Sequence, residues 1–158
     1  MEIREATADD LDAMAGVYRR ASLSNDGDRP LLLAEPAYLE LSDAAIRPGR
    51  SLVAVVDGRV IGFVSVDPVT DGVELEALFV DPDRMRRGVG SALVGEVVAR
   101  VRRRGFSTIS VSANTHAVGF YAHLGFVEVG TVELEFGPAP RMALPVSGPV
   151  AGRPGGPT

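Results

Sequence analysis

The chain contains no cysteine and only two histidines, His116 and His123. The first absence excludes disulfides, thiolate metal sites and a cysteine nucleophile, and the scarcity of histidine speaks against a metal centre. No stretch approaches the ~18 consecutive apolar residues that suggest a membrane-spanning helix. The N-terminal segment MEIREATADD is acidic and lacks the apolar core of a signal peptide. No membrane association and a cytoplasmic address are therefore expected. Lysine is also absent, so all 16 basic residues are arginine, and the net charge is −5. That balance argues against general nucleic-acid binding. An all-arginine set is the ordinary product of a GC-rich coding sequence, although the planar fork of arginine also suits phosphate.

What remains is a chain of 158 residues with 46% apolar and 23% charged side chains. This fits one soluble globular domain with its own core, expected over residues 1–145. The Pro/Gly-rich remainder, 146–158, has little to bury and is expected to be disordered. Ile3–Ala6 reads as a first strand. Thr7 with Asp10 resembles an N-cap and its N3 acid, and Leu11, Met14, Ala15 and Tyr18 follow at helical spacing. Ala37–Ile46 reads as a second helix. Ser51–Val56 and Val60–Val66 flank Asp57-Gly58, a type I′ hairpin signal. Asp71-Gly72 turns into a strand over Val73–Val80. A helix from Gly88 to Gly105 follows, with Leu93, Val94, Val97, Val98 and Val101 on one face. Strand Phe106–Ser112, helix Thr115–Leu124, strand Phe126–Phe136, loop 137–140 and strand Arg141–Leu144 complete the order. Hairpins make the first half antiparallel, and the strand–helix–strand crossover makes one parallel pair. The fold class is α+β, a mixed and mostly antiparallel sheet with helices on both faces.

Residues 73–91, VELEALFVDPDRMRRGVGS, carry the most information. An apolar strand enters an arginine-rich turn, the turn closes on Gly88-Val89-Gly90, and a helix begins at once. Side-chain-free amides and a helix N-terminus together make a receptor for a phosphate or pyrophosphate. Seven of the 16 arginines lie between Arg84 and Arg104, where Glu96 is the only acid. The Gly-Lys-Ser/Thr of a nucleotide-binding P-loop is missing, as is the third glycine of a dinucleotide fingerprint.

A second motif reads Asn114-x6-Tyr121-Ala-His-Leu-Gly125-Phe126. Taken with LFVDPDRMRRGVGSALV and the opening IREATADDLDAM, in this order and separation, it resembles the GNAT family of N-acetyltransferases across roughly residues 2–145. The resemblance implies that the two parallel strands splay apart after a bulge in the first. It implies that the pantetheine arm of acetyl-CoA pairs with Leu78, Phe79 and Val80, and that the pyrophosphate sits on Met85, Arg86, Arg87, Gly88, Val89, Gly90 and Ser91. A strand N–H near Val80 would stabilise the developing oxyanion. Asn114 would contact pantetheine or the strand end, or else cap a helix. Met85 stands where many members carry Gln or Arg, so side-chain help for the phosphates falls to Arg84, Arg86 or Arg87.

By the same resemblance Tyr121 is the acid that protonates the leaving thiolate. A phenol with a pKa near ~10 is protonated at neutral pH; its structural alternative is aromatic packing. Glu76 would be the base that deprotonates the acceptor ammonium, through a water. Glu74 shares its side of the strand but sits further from the gap. His116 and His123 read as surface residues, and no metal is implied. The reaction implied is direct attack of a primary amine, on a small molecule or a protein N-terminus, on acetyl-CoA. Residues 22–38 and 132–141 would set acceptor choice. The alternative is a sensor module of the same fold that binds acyl-CoA without turnover. A homodimer is an expectation from the family only.

Overall fold

The computed structural model describes residues 1–24, 49–134 and 137–146. The expected helix Ala37–Ile46, residues 25–38 and 135–136 of the two acceptor segments, and residues 147–158 of the expected tail lie outside the described residues. The elements are β1 (Glu2–Glu5), a 3-10 turn (Ala8–Asp10), α1 (Leu11–Leu23), β2 (Ser51–Val56), β3 (Arg59–Val69) and β4 (Gly72–Val80). A second 3-10 turn (Pro82–Arg84) leads to α2 (Val89–Arg103), β5 (Thr108–Ser112), α3 (Val118–His123), β6 (Val127–Leu134) and β7 (Gly137–Pro145). The strands follow the order β1-β2-β3-β4-β5-β7-β6 in a mixed sheet. No helix among the described residues is long and apolar enough to cross a membrane. Two compact units emerge, Met1–Ser65 with Ala77–Val94, and Val66–Glu76 with Gly95–Thr158.

In the first unit β1, β2 and β3 pair antiparallel. The turn between β2 and β3 is the type I′ turn that the sequence predicts, with Asp57 at φ 52° and Gly58 at φ 77°. Phe63 on β3 packs with Met14 and Val17 of α1 and Val53 of β2 into a buried cluster, against which Tyr18, Ala77 and Phe79 rest. Neighbouring residues of a strand point to opposite faces. Gly62 therefore faces away from α1, and there its missing side chain makes room for Val89 and Leu93 of α2. The two helices thus cover opposite faces of β3, as the sequence pattern requires.

The entry to α1 is fixed by charge. Arg4 grips Asp10 with two bonds of 2.8 and 3.0 Å, and the Thr7 N–H donates to the same carboxylate at 2.8 Å. The Arg4 bond outweighs the cost of burial and, with the Thr7 amide, holds the Asp10 carboxyl down at about 2, against a usual 3.8. A carboxyl depressed on folding stabilises above its unfolded pKa and loses that contribution as pH falls through the folded one. We expect urea stability to drop by about 1–2 kcal/mol between pH 5 and pH 2 from this group. Asp10→Asn should be less stable at pH 7 and flatter across that window, measured by urea midpoints at fixed ionic strength.

In the second unit β4 and β5 run parallel from Gly72↔Thr108 to Leu75↔Val111. The register ends there, while β4 itself continues to Val80. The ladder irregularities seen fall in the β2–β3 pair at Ala54/Val55 and the β6–β7 pair at Glu128/Gly130. β7 pairs antiparallel with β5 on one side and β6 on the other.

Here the sequence reading needs correction, because Gly137–Pro140 is strand and not loop. Proline breaks a ladder only where its missing N–H is needed. The Pro140 carbonyl accepts from the Ala113 N–H at 2.9 Å, so Pro140 faces the β5 side, beyond the last β5–β7 partners at Ser112↔Arg141. Pro138, two residues back, shares that orientation, so neither proline interrupts the ladder to β6. Pro145 has the opposite parity and lies past the start of β6, whose pairing begins at Val127↔Ala143. β5 begins at Thr108 and α3 at Val118, both later than the sequence pattern suggests. Val146, assigned by composition to the tail, is buried and donates its N–H to the Ser107 carbonyl at 2.8 Å.

Candidate active site

In the first unit the end of β4 brings Leu78, Phe79 and Val80 to the glycine turn, all three half-buried. The Phe79 ring is fixed edge-on to Tyr18 at 4.8 Å and tilted on Phe63 at 5.7 Å. Asp81 then caps the short 3-10 turn, its carboxylate accepting the Asp83 N–H at 3.1 Å. Met85 and Arg86–Gly88 are exposed, Val89 is buried under the helix, Gly90 is half-buried and Ser91 is exposed.

The backbone of this turn is unusual. Arg86 has φ 65° and Gly88 φ 82°. Left-handed residues set close together in a turn form a concave nest of amides suited to anions. For arginine the conformation is strained, a condition that persists where the surroundings impose it. The last turn-closing bonds are Arg84 N–H to Asp81 and Met85 N–H to Pro82, and the first bond of α2 is Ala92 N–H to Gly88. The amides of Arg86, Arg87, Gly88, Val89, Gly90 and Ser91 have no acceptor among the described residues. The Arg84, Arg86 and Arg87 guanidiniums have no carboxylate partner among those residues either. Donors and three cations without partners among the described residues, together with a positive helix end, form a segment chemically fitted to a diphosphate.

In the second unit Tyr121 lies on α3 and is 6% exposed. The Gly-Phe of its motif holds it. Gly125 at φ 104° ends the helix, the Phe126 N–H returns to the Tyr121 carbonyl at 3.0 Å, and the Gly125 N–H to that of Ala122 at 3.0 Å. This is a Schellman closure, whose hydrophobic contact is here the Tyr121–Phe126 ring pair at 5.2 Å. Phe120 adds a second edge contact at 5.1 Å. Burial pushes the Tyr121 phenol up to about 12. Its hydroxyl makes no hydrogen bond among the described residues. A buried hydroxyl left so is costly unless something else completes it.

Glu76 is exposed on β4, one residue past the end of the parallel register. Glu74 differs sharply. Its carboxylate is bound by Arg141 of β7, which also donates to the Ser112 hydroxyl at 2.9 Å. That bond to Glu74 raises the Arg141 pKa over the opposing cost of burial. Glu74 is thereby a structural anion across β4, β5 and β7. Asn114 is exposed, and its carbonyl accepts the Ala117 N–H at 3.0 Å in the turn before α3. His116 and His123 are exposed. No group of three or more potential ligands for a metal occurs among the described residues.

Two long-range ion pairs beside the site are not legible in the sequence. Arg20 of α1 binds Asp81 at 2.7 Å, and Arg141 binds Glu74. Burial raises the Asp81 carboxyl, but Arg20 and the Asp83 amide outweigh it and leave it below the usual range. The partners lie 61 and 67 residues apart, so no local pattern joins them. Only the cap was legible, in Asp81-Pro82-Asp83.

Residues 14–126 match the model of the acetyltransferase (GNAT) family. An uncharacterized N-acetyltransferase of Methanocaldococcus jannaschii is 32% identical over 91 residues, which are 51% of this chain and 40% of that protein. A peptidyl-lysine N-acetyltransferase (YjaB) of Salmonella typhimurium is 31% identical over 138 residues, covering 85% of this chain and 89% of that one. Among solved structures, an N-acetyltransferase (PaiA) of Thermoplasma acidophilum in complex with coenzyme A superposes with a TM-score of 0.76 at 19% identity, over 91% of this chain and 98% of that chain.

Proposed function

The chain belongs to the GNAT acetyltransferase family, and on that premise we propose that it transfers the acetyl group of acetyl-CoA to a primary amine by direct attack. The observation that carries the reading is the run of amides from Arg86 to Ser91 that have no acceptor among the described residues, at the start of α2. A diphosphate would satisfy those amides, with Arg84, Arg86 and Arg87 adding charge. Met85 contributes only backbone, since its side chain is apolar. Leu78, Phe79 and Val80 serve the pantetheine arm, along the stretch of β4 past the end of its parallel register, and Asn114 contacts that arm or the strand end.

The chemistry needs three proton transfers. The acceptor arrives as an ammonium and gives a proton to Glu76 through water. The free amine then attacks the thioester carbon, a C–N bond forms, the attacking nitrogen loses its second proton to solvent, and the C–S bond breaks. Tyr121 supplies the proton that the departing thiolate takes up. A phenol held near 12 is a weak acid in the ground state. It remains fully protonated at any working pH, and the thiolate is the partner its unsatisfied hydroxyl lacks.

The acceptor is a small-molecule amine or a protein amine. The peptidyl-lysine activity named for the Salmonella relative supports including lysine peptides beside N-terminal peptides, polyamines and aminoglycosides in a screen. Thiol release from acetyl-CoA across that panel tests the reading. Coenzyme A affinity with no release on any amine would favour a sensor instead. Gly88→Glu tests the cofactor site separately. No atom lies within 4 Å of the new Cβ, so the core is spared, but φ 82° is strained for any side chain and a carboxylate would enter the anion turn. We expect coenzyme A affinity to fall by roughly 10²-fold or more, read by calorimetry; unchanged affinity would remove the turn from the site.

A further inference from the structure

The glycine turn does not stand free; both of its feet rest on adjacent residues of β3. At the first foot the Asp81 N–H donates to the Ile61 carbonyl at 2.8 Å. At the second, Val89 and Leu93 of α2 close on Gly62, where a Cβ would meet Val89 at 3.1 Å, Leu93 at 3.4 Å and the Phe79 carbonyl at 3.1 Å. Between the feet run the amides without acceptors.

Asp81 locks the first foot with every polar group it has. Its N–H goes to Ile61 and its carbonyl takes the Arg84 N–H at 2.8 Å. One carboxylate oxygen takes the Asp83 N–H at 3.1 Å, and the other takes Arg20 at 2.7 Å. The residue is only 9% exposed. Hydrogen bonds to a charged group are stronger than neutral ones, and a satisfied buried network of this kind rigidifies its surroundings. Arg20 sits in the last turn of α1, so the lock ties that helix to the turn.

From this geometry we infer that Asp81, Arg20 and Gly62 are positioning residues for the cofactor: they set the spacing and aim of the Arg86–Ser91 amides without touching the ligand. The inference rests on the turn being the diphosphate site. Gly62 keeps α2 seated on β3; a methyl group there presses on the Val89 and Leu93 side chains of the helix and on the Phe79 carbonyl, so these neighbours must give by a few tenths of an ångström. Loss of the Asp81 charge frees the other end. In both cases the donors survive, but their spacing no longer matches the diphosphate oxygens.

The test compares wild type with Asp81→Asn, Gly62→Ala and Arg20→Gln, the last at a half-exposed position that leaves the core untouched. Backbone amide spectra report whether coenzyme A moves the signals of residues 86–91. Titrations with coenzyme A and with pantetheine, which lacks the diphosphate, give the two affinities. Coenzyme A affinity is expected to fall by roughly tenfold in Asp81→Asn and Gly62→Ala and severalfold in Arg20→Gln, with pantetheine affinity unchanged. A merely structural role would weaken both ligands together, and that result overturns the inference. So does coenzyme A affinity within twofold of wild type in all three variants. If the amides of residues 86–91 stay still when wild type binds coenzyme A, the underlying site assignment fails first, whatever the variants do.

Discussion

Tyr121→Phe is expected to lower kcat by roughly 10²-fold while leaving the protein as stable as before, or slightly more so. The two halves of this result come from one fact. The phenol is buried between Phe120 and Phe126 with its hydroxyl unpartnered among the described residues. In the resting fold that hydroxyl contributes no bond and carries a desolvation cost, so its removal costs the fold nothing. In the proposed reaction it is the proton source for the leaving thiolate, so its removal should be felt in the rate. Coenzyme A affinity should change little, since the ring and its Schellman closure remain. The pH profile gives a further check. With the phenol held near 12, the acid is not lost below about pH 10, so the rate should rise with amine deprotonation and show no alkaline fall in that range. An unchanged kcat in the variant would leave Tyr121 as core packing. A drop in thermal midpoint matching the drop in rate would make its role structural.

Gly72→Ala is expected to be the most damaging single methyl group in the described chain. The added Cβ would lie inside the contact radius of the Thr108 carbonyl oxygen and carbon, on the strand β5 that pairs with it. Backbone cannot retreat as a side-chain tip can, so the first parallel pairing of β4 and β5 must break or shift. We expect destabilisation of at least ~4 kcal/mol, seen as a thermal midpoint lower by roughly 10 °C or as failure to accumulate folded protein. Gly95→Ala provides the contrast. Gly95 is exposed in the middle of α2, and a Cβ there meets nothing within 4 Å. Alanine should stabilise it by about 0.5–1 kcal/mol through helix propensity. Similar midpoints for the two variants would contradict the β4–β5 geometry.

The two positions also show why one chemistry of residue carries different information in different places. Gly58, Gly88 and Gly125 could be read as turn or cap residues from their neighbours, and each has positive φ. Gly62 sits inside a strand, where the sequence offers only the hint that something approaches closely; Gly72, legible as part of the Asp71-Gly72 turn, is the first residue of β4, and its close neighbour is not legible at all. What approaches comes from elsewhere in the chain: α2 at Gly62 and Thr108 at Gly72.

The same division runs through the site. The alternation of Leu75, Ala77 and Phe79, the Asp-Pro-Asp cap, the glycine turn and the Tyr-x3-Gly-Phe closure are all local patterns. Each is governed by backbone sterics and hydrogen bonds within a few residues, so the sequence by itself determined them, and with them the shape of the glycine turn and the setting of Tyr121. Partnerships across the chain were decided only by the tertiary structure. Glu74 and Glu76 are equivalent by alternation, yet one is bound by Arg141 at the row where three strands meet, and the other lies beyond it. Pro138 and Pro140 signal a loop, yet they extend a strand because no neighbour asks for their missing N–H groups. Asp81 signals a cap, yet it also anchors the turn to β3 and α1. A side chain's periodicity is a property of its own segment, whereas its charge partner or steric limit depends on which strand is laid beside it, and that is fixed only when the sheet closes.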